Sequence, residues 1–147
     1  MSKFKVQVNH VPANYKTYSI PGLELKNKYE ELGVQMPFPR ADSWYYYTDP
    51  EGWATLVSHL LFKSSLYKED IFDCDDYAMK AQVTCAELYG LNTCRCTYGH
   101  MPLGFHGFNS MFCGDRFLLL EPNEGYQYED PLFEWGIYGY NPEFVLL

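Results

Sequence analysis

DCDDYAMKAQVTCAELYG, residues 73–90, is the stretch on which the fold turns. Asp73 has the short carboxylate of a helix N-cap, Asp75 and Asp76 fall in the first turn where acids favour the helix dipole, and Gly90 is a stop. The spacing predicts a helix over 73–90, and Ala78, Ala81, Cys85 and Leu88 give it a small-residue face suited to lying close on a sheet. Cys74 stands in its first turn. Downstream the pattern changes to short β-like runs, Leu91–Tyr98, Gly107–Cys113 and Phe117–Glu121, divided by Gly99–Gly104 and by Gly114-Asp115. The last two runs should form a hairpin.

Hairpin geometry then tests which side chains meet. With Gly114 and Asp115 as the two central turn residues, His106 faces Asn123 and Phe108 faces Glu121. Strand alternation puts residues 106, 121 and 123 on one face, so Glu121 is the diagonal neighbour of the imidazole and Asn123 the direct one. Glu121 is preferred and Asn123 is the alternative. Cys74, His106 and Glu121 thus fill three roles: a thiol at a helix N-terminus, an imidazole to move its proton, and a carboxylate to orient the imidazole.

These motifs, DCDDYA opening a helix, HGFN on one strand and LLLEPNEG on the next, resemble the core of transglutaminase-like, papain-type cysteine peptidases, above all small prokaryotic and phage members. The resemblance covers roughly residues 50–125. It implies an α+β fold in which the Cys-bearing helix packs on an antiparallel sheet carrying the His and the acid, and a triad of Cys74, His106 and Glu121. It also implies acyl chemistry on a peptide, protein or amide substrate through a Cys74 thioester, with no required cofactor. Many members carry an aromatic residue where this chain has Gly107. They also lack so dense an acidic cluster beside the nucleophile.

That cluster opposes a thiolate, since Asp73, Asp75 and Asp76 place like charge beside Cys74. Two accounts relieve it. The carboxylates point outward, or they gather calcium or another divalent cation, which favours hard oxygen ligands and reverses the local field. Zinc is a weaker chemical reading: Cys94, Cys96, His100, His106 and Cys113 lie in a short stretch, but Cys-x-Cys on a strand is not structural-zinc spacing. Cys85, Cys94, Cys96 and Cys113 read as small buried hydrophobes. His59 and His10 read as packing or surface residues, and His100 as part of a solvated loop.

The remaining sequence frames this core. The chain has 147 residues, 11 Lys plus Arg against 19 Asp plus Glu, and a net charge of −8, which makes nucleic acid and anionic membranes poor partners. No stretch is apolar for the length of a membrane span, and residues 1–8 lack a signal-peptide core, so a soluble cytoplasmic protein is expected. Five cysteines, an odd number, argue against a disulfide framework. One domain is expected over 1–147. Residues 1–49 form an irregular, proline-broken aromatic wrap, with a strand at Lys3–Val8 and a short helix at Leu23–Leu32 ended by Gly33. A helix follows from Pro50 to Phe62, and an aromatic tail, 126–147, packs over the sheet. Aromatic residues make up 18% of the chain, enough for a thick core or a stacking surface. Trp44–Tyr47 is read as packing first and as a groove second. The rival to an enzyme is therefore a non-catalytic module that keeps the fold and binds a peptide or glycan in its aromatic cleft. Oligomeric state is left open.

Overall fold

The computed structural model describes residues 14–126 and 130–147; the expected strand at Lys3–Val8 and His10 lie outside them. The N-terminal part is more regular than its prolines suggested. Strand β1 (Tyr18–Pro21) leads into helix α1 (Gly22–Glu31), and β1 pairs antiparallel with β2 (Trp44–Tyr47) from Tyr18 opposite Tyr47 to Pro21 opposite Trp44. Two of the prolines sit at element boundaries, where they do no harm: Pro21 is the N-cap of α1, and Pro50 opens α2 (Pro50–Leu56), where a missing N–H costs nothing. Gly33, with φ +79°, follows the end of α1. In β2 the alternation divides the aromatic run: Tyr45 is fully buried, whereas Trp44 and Tyr46 face outward.

Helix α2 stops at Leu56, and a 3-10 turn carries the chain through Val57–His59, so the expected helix to Phe62 is cut short. The reason is tertiary. Phe62 is drawn into a parallel bridge with Asn123, its N–H donating to Pro122 O at 2.8 Å while its carbonyl accepts from Glu124 N at 3.1 Å. Trp53, Leu56 and Leu60 nevertheless all reach the core.

Helix α3 (Cys74–Tyr89) matches the expected helix at both ends: Asp73 and Asp76 form a reciprocal capping box, and Gly90 takes the left-handed conformation at φ 66°. Its buried face, including Ala78, Ala81 and Cys85, lies on β3 (Cys94–Met101) and β4 (Gly104–Phe112). With β5 (Phe117–Leu120), β6 (Leu132–Glu134) and β7 (Asn141–Val145) these make a five-stranded antiparallel sheet in the order β6-β5-β4-β3-β7. The β4–β5 hairpin has the expected register, with Asn109 opposite Leu120 and Phe112 opposite Phe117.

Two expectations are corrected. The strand expected at Leu91–Tyr98 begins at Cys94 and runs on to Met101, so His100 is a strand residue, hydrogen-bonded through Nδ1 to Glu143 at 2.5 Å, rather than part of a loop. Gly99 is there for close approach: a Cβ on it would lie 1.9 Å from Asn141 O at the bulge between β3 and β7. The tail does not lie over the sheet but extends it, β6 pairing with β5 and β7 with β3. Free N–H and C=O groups on sheet edges favour such pairing. One face of the sheet packs on α2 and α3. The other meets α1 and the β1–β2 ribbon through Tyr29, Tyr45, Phe112 and Phe117, and carries a second aromatic group of Phe108, Phe133 and Tyr140. No helix among the described residues is long and apolar enough to cross a membrane.

Candidate active site

Cys74 is the first residue of α3, half-buried, and its Sγ accepts a hydrogen bond from the Gly107 N–H at 3.3 Å. The other four cysteines are free and buried, as expected of small hydrophobes. The contact with β4 depends on residue 107 having no side chain. A Cβ there would lie 2.9 Å from Asp75 Cα and 3.0 Å from Asp75 N, so this glycine is what lets the helix end touch the strand.

His106 is buried, and its Nε2 lies 2.6 Å from Oε2 of Glu121, which is itself 1% exposed. The Cys74 side chain lies close enough to the imidazole to act on its protonation. Burial alone would lower its pKa, but the neighbouring Cys74 and the hydrogen-bonded Glu121 carboxylate outweigh burial and raise it to about 9. The cation is therefore the resting form of His106 at neutral pH. Asn123 is turned elsewhere: its Oδ1 accepts from Gly125 N at 2.9 Å, and its own N–H donates to Glu121 Oε1 at 3.2 Å. Of the two candidate partners for the imidazole, the structure brings Glu121 to the ring and gives Asn123 to the following turn.

The acidic residues separate into two groups. Asp76 folds back, its carboxylate accepting from Asp73 N at 3.2 Å, and is occupied as a cap. Asp73 and Asp75 share a hydrogen bond that raises the pKa of Asp75, with burial and the charges of Asp73 and Asp76 adding to it, and lowers that of Asp73. Among the described residues, Asp73, Cys74 and Asp75 are the group whose ligand atoms converge, all within 4.8 Å of one another. A cation there would meet two carboxylates and a sulfur, fewer oxygens from the chain than calcium usually takes. The expected zinc alternative has no such convergence among the described residues.

Several neighbours carried no usable sequence signal. Tyr140 donates its hydroxyl to Glu121 Oε2 at 2.8 Å and stands edge-on to the His106 ring, centroids 6.0 Å apart. Tyr126 covers the imidazole at 5.4 Å, and Tyr67 lies within electrostatic range of Tyr126 and Cys74. With 14 tyrosines in the chain, nothing in the sequence singled these out. Gln35 and the Trp44–Tyr47 run lie elsewhere. Gln35 is strung along β7, bonded to Glu143 and Val145, so it is three strand spacings, about 14 Å, from Gly107. The Trp44–Tyr47 strand brings Tyr47 to Gly114, at the opposite end of the hairpin from His106. His59 packs 6.3 Å from the Tyr89 ring, in keeping with a packing role. A cleft of about 370 Å³ lined by Lys28, Phe112, Arg116 and Trp135 also lies at that far end, away from Cys74.

No family model matches the sequence, and no curated protein matches it. In three dimensions the chain is similar to the solved structure of a "PSL1a-E64 complex", with a TM-score of 0.62 and 18% sequence identity. The match covers 88% of this chain and 51% of that one, so this chain spans about half the length of its neighbour. The likeness is one of fold, an α+β arrangement of helices on an antiparallel sheet that is compatible with the papain-like class.

Proposed function

We propose that the protein is a cysteine-dependent hydrolase or acyltransferase of the transglutaminase-like, papain-like kind, acting on an amide or peptide bond through a thioester on Cys74. The observation that carries this reading is the meeting of Cys74, at the N-terminus of a helix and bonded by the Gly107 N–H, with a neighbouring His106 that is hydrogen-bonded to the buried Glu121. A protonated His106 and the helix dipole both favour a Cys74 thiolate. The thiolate sulfur attacks the carbonyl carbon, and backbone N–H groups at the start of α3 receive the charge that develops on oxygen. As the C–N bond breaks, His106 gives its proton to the departing amine. Water or a second amine then attacks the thioester, His106 takes the proton, and the C–S bond breaks. Glu121 keeps the imidazole oriented throughout. Asp73 and Asp75 are the pair to which calcium or another divalent cation comes if the site uses one.

E64, which the structural neighbour holds in complex, supplies the test, because its epoxide is opened by an activated thiolate. Incubation followed by peptide mass spectrometry should place one adduct on Cys74, with His106→Ala abolishing it. Iodoacetamide across pH should likewise label Cys74 first and at lower pH than the other four thiols. Slow labelling equal at all five would reject the enzyme in favour of a binding module that keeps the fold.

A further inference from the structure

We propose that Tyr140 is a positioning residue for this chemistry: its hydroxyl fixes the Glu121 carboxylate and restrains its basicity, so that Glu121 orients His106 without taking its proton. The inference rests on the hydrolase reading above. Glu121 is buried, and three donors reach its carboxylate: His106 Nε2 at 2.6 Å and Tyr140 Oη at 2.8 Å on Oε2, and Asn123 N at 3.2 Å on Oε1. Tyr140 and His106 thus share one oxygen. Each donor draws charge from that oxygen, so the tyrosine weakens the pull of Oε2 on the imidazole proton while anchoring the oxygen in place.

The hydroxyl is held for this task by its ring. Tyr140 is 2% exposed and stands edge-on to Phe108 at 5.0 Å and 84°, to Phe133 at 5.0 Å and 65°, and to His106 at 6.0 Å and 73°. Gly139, just before it, has φ +73° and leaves 2.9 Å between a would-be Cβ and Pro102, which brings this part of the tail against the β3–β4 turn. A tyrosine fixed by three rings, with its hydroxyl on a buried carboxylate, is arranged to hold that group still. Among the described residues, the titratable groups that meet the imidazole are Cys74 from α3, Glu121 after β5, Tyr126 from the following turn, and Tyr140 ahead of β7.

The test is Tyr140→Phe, which keeps the ring and removes the O–H, read by the NMR titration of the His106 ring and by the pH profile of Cys74 alkylation. Freed of one donor, Oε2 should hold the imidazole proton more tightly, raising the protonation equilibrium constant of His106 by about three- to tenfold. The alkaline limb of the alkylation profile should move upward with it. Site-specific 4-aminophenylalanine at position 140 keeps the ring and a weaker donor that does not lose its proton in this range, and should shift the titration the same way as Phe but by less. It also keeps the question answerable if the Phe variant does not fold. A His106 titration unchanged in the folded variants would overturn the proposal and leave Tyr140 as packing. The hydrolase reading fails separately, if Cys74 of the unaltered protein labels no faster than an ordinary thiol, because the NMR shift reads the Tyr140–Glu121–His106 contact whether or not the thiol reacts.

Discussion

His106 makes the stability of the fold depend on pH in a window that few other groups share. Its pKa is raised from the ordinary 6.5 to about 9, against burial, by the neighbouring Cys74 and by the hydrogen-bonded Glu121 carboxylate. A histidine raised in the folded state binds its proton more tightly there than when unfolded. Its contribution is therefore complete below the unfolded value of 6.5 and is lost as pH rises toward 9. Between pH 6.5 and 8 the loss amounts to about 1.5 pH units at about 1.4 kcal/mol each, or about 2 kcal/mol. The buried thiols of Cys94, Cys96 and Cys113, raised chiefly by a hydrogen bond to Cys85 in the first case and by burial in the other two, act with the same sign. Their loss begins only near the unfolded thiol value, so the window up to pH 8 belongs mainly to the imidazole. The assay is urea denaturation at matched ionic strength across that window, for the unaltered protein and for Glu121→Gln. The variant will be less stable throughout, because a buried cation loses its partner. The argument concerns the slope, which should be flatter in the variant, since the carboxylate charge helps hold the proton. An unaltered protein equally stable at pH 6.5 and 8, or a Gln variant with an undiminished slope, would refute the reasoning.

Gly107→Ala should slow Cys74 alkylation and lower stability by about 1–3 kcal/mol, the usual range for overpacking, because its Cβ meets the Asp75 backbone at 2.9 Å; mass spectrometry and urea titration read the two effects. Asn123→Ala should affect acylation of Cys74 far less than Glu121→Gln, because the Asn123 side chain is committed to Gly125; the opposite ranking would make Asn123 the orienting group. If Asp73 and Asp75 gather calcium, alkylation rate and melting temperature should both rise on adding calcium at matched ionic strength and fall with chelator, since an ion that binds only the folded state stabilises it. Values unchanged in both would leave Asp73 as a helix cap.

Local chemistry made part of this molecule legible in the sequence. Asp73, Asp76 and Gly90 delimit α3 because caps and stops act through bonds a few residues apart, and the Gly114-Asp115 turn sets the β4–β5 register because a two-residue loop leaves little freedom. From that register alone, Glu121 came within reach of His106. The register left Asn123 open as the alternative to the preferred Glu121, since both share the face. The choice depends on the chain after β5, where Pro122 and Glu124 pair with Phe62 and Asn123 turns to Gly125. Tertiary contacts also decided the rest. β6 and β7 joined the sheet edges because exposed edges take the nearest extended chain, and α2 ended early because Phe62 was needed at a distant strand. Gly107 and Tyr140 are the sharpest cases. A glycine's value lies in what approaches it and a tyrosine's in what its hydroxyl meets, and here those partners, Asp75 and Glu121, lie 32 and 19 positions away in the chain. Periodicity and spacing describe neighbours along the chain, whereas such contacts exist only once the whole sheet has formed.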